Sequence, residues 1–554
     1  MRVKLAAAAH RLSHNKKLCH GPGMAKKTQK LSIRLLREGR DPKAVVKGAD
    51  WAEWPHSEGA EVAFGTAFAG EPKWVKLLDT PEVAGAGLSN KSAFGVVFLK
   101  ADARWFAVSF GASHVKLDPA AFEHDFGLRV VLNTVDHRKL RSADLRTPEE
   151  LTVTRRTQTS RQSSSEAFGI DVEKDIVRGL AGEPTDQAFA RRVAGSDALV
   201  IHKPAEAEDL EGICSEAYAK FKLDDYQEHF GWVDHIRYVR DDSLREKLDA
   251  ELVAALHAAI VAGTSDDLHL AAPAVYDPEE FGDVRYLGFR SKADHPQIDI
   301  LDYLADLKTR GCSPDLEAIT ERHWLAEVRD DDSVQKRWKL YDCIVFEVEH
   351  GGTRYVLSGG KWYAVAKSLV DEVTAFFGAM PKTALPSAKP GENEADYNER
   401  VAKEAGDLAC LDRQLIRPTG ATSDIEACDF FSKKRQFIHV KDEAASSRLS
   451  HLFSQGLVSA MAFRTDKPFR AKFRAKLEGI SADHAALLPG DEDEPDPKDF
   501  EVVFAVMRSP TSKGEMRLPF FSLVTLRQAA RQITALGFKV AFAWVEKPPH
   551  APAA

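Results

Sequence analysis

The sequence lacks the motifs that most readily reveal a chemistry. Its six cysteines are scattered singly, no C-x-x-C pair occurs, and there is no H-E-x-x-H motif. The sequence therefore argues against a disulfide framework and a closed zinc site, and it favours a reducing cytoplasm. No apolar run reaches the ~18 residues that a membrane-spanning helix needs. We expect a cytoplasmic protein that does not act in a membrane.

An excess of basic charge is also absent. The 554 residues include 76 Lys and Arg against 84 Asp and Glu, which gives a formal net charge of −8. This balance argues against a chain that coats nucleic acid non-specifically, although it allows a local basic groove. With 44% hydrophobic and 29% charged residues, the composition is that of a globular protein. The length predicts roughly three to four domains of ~150 residues each.

Proline and charge clusters divide the chain. The basic segment 1–23 has no signal-peptide core and is predicted to be a disordered extension, so Met24 is a natural start. A proline-rich segment at 381–395 reads as a linker. The predicted domains are an N-terminal α/β domain at 24–165, a middle α+β domain at 166–380 and a C-terminal α/β domain at 396–554.

Apolar periodicity predicts a mixed α/β fold. Two pairs of β-prone runs predict hairpins, at residues 94–110 and 342–357. Mainly helical segments are predicted at 168–180, 221–263 and 364–377.

A basic tract lies between Arg138 and Arg161, where seven basic residues stand against three acidic ones. Arg155, Arg156 and Arg161, together with nearby Ser, Thr and Gln side chains, would contact phosphate groups through charge and hydrogen bonds. Alternatively, the tract is a solvated loop or an edge strand, because charge runs usually face water.

The order of elements in the C-terminal domain is informative. The predicted elements are a helix at 397–405, strands at 411–416, 424–431 and 436–441, a helix from Ser447, and an apolar strand at 502–506. This order resembles the core of the restriction-endonuclease-like, or PD-(D/E)xK, nuclease superfamily. In that superfamily an acidic residue ends the second core strand, and an acid-x-Lys triplet lies on the third.

The resemblance assigns roles to particular residues. Asp429 matches the acidic position, Lys441 matches the lysine, and Gln455 matches a polar position on the next helix. It implies a three-layer α/β core in which carboxylates hold Mg²⁺ and the lysine orients the attacking water.

The triplet departs from the superfamily pattern, because residues 439–441 read His-Val-Lys. An imidazole in place of the second carboxylate would shift the metal preference from Mg²⁺ towards Mn²⁺. The predicted ligands are then Asp429, His439 and Glu426, and His439 joins the catalytic set. Further candidate ligands are Glu399 and Glu404. Alternatively, the site is degenerate and only binds, or these are ordinary strand-end and turn residues.

Several stretches along the whole chain also look familiar. They include residues 126–133, 168–171, 396–399, 425–429 and 449–456. Together they resemble a family of uncharacterised, sporadically distributed bacterial proteins, a distribution associated with mobile elements and anti-phage defence. The resemblance implies a biological context and no particular activity.

We therefore predict a defence protein that acts on nucleic acid through a divergent metal-dependent nuclease domain. One alternative is a non-catalytic nucleic-acid or protein interaction factor with a degenerate nuclease fold. A second is a transferase that binds a phosphorylated substrate near the basic tract. Lys433, Lys434 and Arg435 form a basic turn that is a further candidate for nucleic-acid contact. Because the net charge is negative, such binding is expected to be confined to a groove and to fall with added salt.

Overall fold

The computed structural model describes residues 26–548, except 73, 74, 76, 77, 79, 149–151, 264, 266, 267, 275–281, 329–332, 443–448, 491, 492 and 511–513. The chain divides into two units. Unit 1 takes the described residues of Met1–Lys139 and Leu180–Asp224, and unit 2 takes those of Leu140–Gly179 and Asp225–Ala554. The predicted extension at 1–23 and the start at Met24 lie outside the described residues. The domain boundaries drawn from the sequence stay predictions.

The secondary structure mixes short strands with helices of up to 21 residues. The strands are β1 (Thr28–Leu35), β2 (Asp50–Glu53), β3 (Glu61–Gly70), β4 (Asn90–Ala101), β5 (Arg104–Gly111), β6 (Val135–Thr147), β7 (Val153–Ser163), β8 (Ile176–Pro184), β9 (Arg192–Gly195), β10 (Leu199–Pro204), β11 (Ile236–Tyr238), β12 (Leu268–Leu270), β13 (Asp283–Leu287), β14 (Trp324–Val328), β15 (Val334–Lys339), β16 (Ile344–His350), β17 (Thr353–Ser358), β18 (Lys361–Val365), β19 (Leu408–Cys410), β20 (Leu415–Ile416), β21 (Ile425–Glu426), β22 (Phe430–Ser432), β23 (Gln436–Asp442), β24 (Glu501–Arg508) and β25 (Lys539–Glu546).

The α-helices range from single turns to long amphipathic segments. They are α1 (Pro81–Gly85), α2 (Phe126–Leu132), α3 (Leu210–Phe221), α4 (Gln227–Phe230), α5 (Asp242–Ala262), α6 (Ile300–Arg310), α7 (Leu340–Cys343), α8 (Lys367–Ala379), α9 (Glu394–Glu404), α10 (Leu449–Thr465), α11 (Lys467–Ile480), α12 (Ala482–Ala485) and α13 (Phe520–Ala535). Within the described part of the chain, no helix has both the length and the apolar character that crossing a membrane requires.

Unit 1 is built on an antiparallel sheet in which the neighbouring strands run in the order β2-β3-β4-β5-β1-β10-β9. The hairpin predicted at 94–110 is confirmed as β4 and β5. Its turn residues Asp102 and Ala103 have φ of 48° and 62°. Helix α2 approaches β9 so closely that a Cβ on Gly195 would lie 1.9 Å from the carbonyl oxygen of Gly127. Only glycine fits at such a backbone contact.

The helix predicted at 168–180 is wrong, because residues 176–184 form strand β8. Ile176, Val177 and Leu180 are all buried there, and β-branched residues favour a pleated, buried surface over a helix. The basic tract forms strands β6 and β7, which pair as an antiparallel hairpin, and β7 lies at the edge of its sheet.

The middle of unit 2 contains a sheet of strand order β11-β18-β17-β16-β12. The hairpin predicted at 342–357 is confirmed as β16 and β17. On one face lies α5, with Leu248, Leu252 and Leu256 in the core, and this helix ends at Gly263 with φ of 72°. Helix α8 covers the other face, where the first residues of α13 also pack.

A carboxylate from this sheet caps the N-terminus of helix α13. Glu347 of β16 is 8% exposed and accepts hydrogen bonds from the backbone N–H groups of Phe520 at 2.7 Å and Phe521 at 3.3 Å. A negative charge at this end is favoured by the helix dipole, and it satisfies two otherwise unpaired donors.

The C-terminal sheet has the strand order β19-β22-β23-β24-β25. The pairs β19–β22 and β22–β23 are antiparallel, whereas β23, β24 and β25 run parallel. Helix α9 packs on one face through Tyr397 and Val401, and α10, α11 and α13 pack on the other. The mixed α/β class predicted from the sequence is confirmed, and this region has three layers.

Candidate metal centre

Asp429 lies at the turn into strand β22 and is anchored to the next strand. Its backbone N–H donates to the carbonyl oxygen of Ile438 at 2.9 Å, and its Oδ2 accepts from the N–H of Val440 at 2.7 Å. The residue is 6% exposed. The hairpin register therefore holds this carboxylate inside the sheet, beside the triplet at 439–441.

Two further carboxylates, from neighbouring segments of the chain, lie close to Asp429. Asp412 follows β19, and Glu426 ends β21. Within the described part of the chain, one ligand atom from each of the three residues can be chosen so that all lie within 4.8 Å of one another. The Oε1 of Glu426 accepts the N–H of Arg413 at 2.9 Å. Arg413 has φ of 61°, and this left-handed backbone turns its N–H towards Glu426.

The electrostatics of the group favour a cation. Burial raises the pKa of Asp429 well above its usual range, and the charges of Glu426, Glu394 and Asp412 raise it further. Burial likewise raises the pKa of Glu426, with Asp412 adding to the effect and Lys441 opposing it. Carboxylates crowded in this way stabilise a divalent ion, because its charge removes their mutual repulsion.

A buried amide lies beside the group. Asn398 of α9 is 0% exposed, and its Nδ2 is 3.5 Å from Oδ1 of Asp429. Its Oδ1 has no hydrogen-bond partner in the described part of the chain. Buried polar atoms are nearly always bonded, so this oxygen is an available acceptor beside the carboxylates.

Lys441 points to the same end of the sheet, where it meets the first residue of α9. Its Nζ lies 3.0 Å from Oε1 of Glu394, whose Oε2 accepts the N–H of Asp442 at 3.0 Å. Asn393 caps the helix through the N–H of Asp396, which fixes Glu394 in the first turn. Glu394 and Asn398 were not predicted; the asparagine cap before an acidic first turn is the signal in the sequence.

His439 is placed in a different environment. It is 2% exposed, its Nε2 is 3.2 Å from Oγ of Ser459, and its ring packs against Phe504. Burial lowers its pKa to about 4, so the imidazole is neutral. The group of three carboxylates includes the predicted ligands Asp429 and Glu426 but not His439. The third member of the group is Asp412, which the sequence did not suggest.

Of the remaining predicted helpers, Glu399 and Glu404 are not members of this group. Gln455 is half-buried on α10. Glu399 is exposed and paired with Lys403, and Glu404 pairs with Arg400. These last two carboxylates are occupied by basic partners on their own helix.

The basic turn before β23 lies at the far end of that strand. Lys433 and Lys434 are exposed, and Arg435 pairs with Asp499 at 2.9 Å. Six residues separate Arg435 from Lys441, or about 20 Å of strand. The turn and the carboxylates therefore do not share one site.

The arginines of the basic tract also do not converge. Arg155 bonds Asp175, whereas Arg156 binds both oxygens of Asp144, at 2.6 and 2.9 Å. Successive strand residues point to opposite faces, so the two guanidiniums diverge. Arg161 is exposed.

A basic helix that was not predicted lies next to the carboxylates. Helix α11 has the sequence KPFRAKFRAKLEGI, and it buries Phe469, Phe473 and Leu477 at four-residue spacing. Lys472 donates to the carbonyl oxygen of Arg417 at 3.2 Å, and Lys476 donates to Gln414 at 3.2 Å. Both lysines thus contact the loop that begins at Asp412. The lysine and arginine repeat between the phenylalanines is the signal that would have identified this helix.

Comparison with known sequences gives the family of the chain. No curated protein matches it. The sequence model of DUF6119, a family of unknown function, matches residues 28–546, which is nearly the whole chain. That extent agrees with the resemblance to an uncharacterised family noted from the sequence. The chain therefore belongs to the DUF6119 family.

Proposed function

We propose that the protein is a metal-dependent phosphodiesterase that cleaves nucleic acid, used in defence against phage or mobile elements. The observation that carries the proposal is the juxtaposition of Asp412, Glu426 and Asp429 at one end of the C-terminal sheet, with Lys441 at the same end. The element order around them is the one that resembles the PD-(D/E)xK core.

The donor set fits Mg²⁺ or Mn²⁺. All three side chains offer carboxylate oxygens, which are the hard ligands that these cations prefer. The unpaired Oδ1 of Asn398 provides a further acceptor beside them. A bound divalent cation would supply a Lewis acid that acidifies water and stabilises the charge of the leaving oxygen.

The residues around the bound cation would then have separate roles in cation binding, water orientation and contact with the phosphate backbone. Asp412, Glu426 and Asp429 hold the cation, and the backbone N–H of Val440 keeps Asp429 in place. Lys441 orients the attacking water and is itself positioned by Glu394. Helix α11 offers Lys472 and Lys476 to the phosphate backbone, since both lie against the loop that carries Asp412.

One observation favours the second candidate, a non-catalytic nucleic-acid-binding factor. The Nζ of Lys441 is engaged by a carboxylate, and the ion pair would have to open for the lysine to act on substrate. The basic helix would in that case bind nucleic acid without cleavage. Arg155 and Arg156 pair with different carboxylates and do not converge with Arg161. This arrangement does not favour a transferase site there.

Cleavage assays with matched variants test the proposal. Plasmid DNA and RNA are incubated with the full chain and Mg²⁺ or Mn²⁺. We expect cleavage that falls on the order of 100-fold in Asp412→Asn and Asp429→Asn. Asp483→Asn, which removes an exposed carboxylate from α12, serves as the control.

Each outcome decides between the candidates. Cleavage that persists unchanged in both variants would place the activity elsewhere. Salt-sensitive binding of nucleic acid without any cleavage would favour the non-catalytic factor.

A further inference from the structure

Arg146 is a buried cation that the carboxylate site does not use. Strand β6 carries it, and the residue is 1% exposed. Its Nε donates to Oγ of Ser358 at 2.7 Å, and its Nη1 donates to the carbonyl oxygen of Ala272 at 2.7 Å. Its Nη2 is buried and has no hydrogen-bond partner in the described part of the chain. Uncharged oxygens therefore bind the guanidinium through Nε and Nη1, and its Nη2 has no partner among the described residues.

Among the described residues, no carboxylate is paired with Arg146. The titratable groups that act on it are Arg178, Tyr363 and Cys343. Burial lowers the pKa of Arg146 to about 10, and repulsion by Arg178 adds to the effect. A buried charge without a counter-ion is strongly unfavourable.

A second arginine of unit 2 gives the contrast. Arg527 is also 1% exposed, and its Nε and Nη2 also lack a well-aligned hydrogen bond among the described residues, but its Nη2 lies 2.9 Å from Glu173 and its Nη1 lies 3.6 Å from Glu372. Among the described residues, one buried guanidinium therefore has acidic partners and the other has none. Arg146 is thus a buried cation that an added anion would stabilise.

Arg178 approaches the same place. Its Nη1 donates to the carbonyl oxygen of Pro273 at 2.6 Å. A Cβ on Gly359 would lie 3.8 Å from this Nη1 and 4.0 Å from Nε of Arg146, so both guanidiniums flank the turn between β17 and β18. Gly359 has φ of 61°, a conformation that suits glycine. No side chain at this position separates the two cations.

Asp342 is a described acid that lies against the second glycine of the same turn. A Cβ on Gly360 would lie 2.2 Å from its Oδ1. Burial raises the pKa of Asp342, although Lys339, Arg178 and Lys361 oppose the shift. Among the described residues, no ion pair joins Asp342 to Arg178 or Arg146, although the charge of Arg178 acts on it from a distance.

We propose that Arg146 and Arg178 form a binding site for a small anion that carries a phosphate group, either inorganic phosphate or a phosphate monoester. Two guanidiniums match the two charges of such an anion, and their planar N–H groups suit its oxygens. The hydroxyl of Ser358, which accepts from Arg146, still has its own proton to donate. Burial of Arg146 and Ser358 favours a free or terminal phosphate over the continuous backbone of a polynucleotide. The site stands on its own contacts and does not depend on the proposed nuclease activity.

Calorimetric titration of the full chain tests the site. Inorganic phosphate and glycerol 3-phosphate are titrated separately, with sodium chloride at matched ionic strength as the reference. The variants are Arg178→Ala, which changes a half-buried side chain, and Arg146→Met, which keeps the apolar stem. Arg310→Ala, at the exposed end of α6, removes the same charge elsewhere in unit 2.

We expect saturable phosphate binding that weakens at least about tenfold in Arg178→Ala and Arg146→Met and is unchanged in Arg310→Ala. Comparison of the dissociation constants of inorganic phosphate and glycerol 3-phosphate tells whether the site prefers a free phosphate or a phosphate monoester. If Arg146→Met does not fold, Arg178→Ala alone decides. Absence of binding, or binding that neither variant weakens, would overturn the proposal.

Discussion

Lys441 and Glu394 form an ion pair with 3.0 Å between Nζ and Oε1, and both side chains are largely shielded from solvent. The second oxygen of Glu394 accepts the N–H of Asp442 at 3.0 Å. One carboxylate at the start of α9 therefore holds both a side chain and the backbone at the end of β23. The lysine that we assign to the reaction is positioned by a helix from outside its own strand.

Replacing Glu394 by Gln should destabilise the protein. The change weakens two hydrogen bonds to a charged acceptor, and we expect the free energy of unfolding to fall by about 1–2 kcal/mol. Urea unfolding at neutral pH measures it. Glu399→Gln removes an exposed carboxylate from the same helix and should have no measurable effect. Equal losses in the two variants would mean that the Lys441 contact adds nothing.

Replacing Gly456 by Ala should destabilise helix α10 against the sheet. A Cβ at this position would lie 2.4 Å from Cε1 of Phe504 and 3.3 Å from Cγ1 of Val502. We expect a loss of about 1–3 kcal/mol from overpacking. Gly479→Ala on α11 meets no atom within 4 Å, and we expect a gain of about 0.5 kcal/mol. Thermal unfolding of both variants compares them, and a gain in Gly456→Ala would contradict the close packing.

Acid should destabilise the protein through His439. Burial lowers its pKa from 6.5 to about 4, so the unfolded chain binds a proton between these values that the folded chain does not. Stability contributed by the neutral ring is therefore complete above pH 6.5 and is lost as the pH falls towards 4. The loss amounts to about 3 kcal/mol at full protonation.

His439→Gln should remove that part of the acid sensitivity. Unfolding by urea at pH 7 and pH 4 measures it, with His451→Gln, an exposed residue of α10, as the control. An unchanged pH dependence in His439→Gln would show that the pKa of the ring is not lowered in the folded protein.

Stabilisation by Mn²⁺ should be the same in His439→Gln as in the wild type, because His439 is not a member of the group formed by Asp412, Glu426 and Asp429.

Nucleic-acid binding should depend on helix α11. Each lysine that contacts a phosphate contributes about 0.9 to the slope of log affinity against log salt concentration. We expect Lys472→Gln and Lys476→Gln each to reduce the slope by about that amount, measured by fluorescence anisotropy with a labelled oligonucleotide. Lys433→Gln tests the basic turn instead. A reduced slope in that variant alone would move the binding surface to the other end of β23.

Patterns of local origin could be predicted from the sequence, whereas contacts between distant segments could not. The β4–β5 and β16–β17 hairpins follow from short apolar runs around turns, and both are confirmed. The run at 168–180 was misread as helix because its buried Ile176 and Val177 are equally compatible with a strand.

The candidate site shows the same limit. Asp429 and Lys441 were identified through the resemblance to the PD-(D/E)xK pattern, and they lie at two neighbouring strands, β22 and β23, that are close in the sequence. Asp412, Glu394 and Asn398 come from other segments, and only the folded chain brings them to that place. His439 shares the strand with Lys441, but its ring has Ser459 of α10 and Phe504 of β24 as neighbours.

The Glu347 carboxylate at the start of α13 has a consequence for how the protein can be divided. A fragment cut at the proline-rich segment 381–395 would keep α13 but lose Glu347. Phe520, Phe521 and Val524 would lose the apolar partners on β16 and β17 that cover them. Such a fragment is expected to aggregate when it is expressed alone. Gene fusions or domain exchanges that transfer only this region would therefore fail for a structural reason, so the middle sheet and the C-terminal region have to be inherited together.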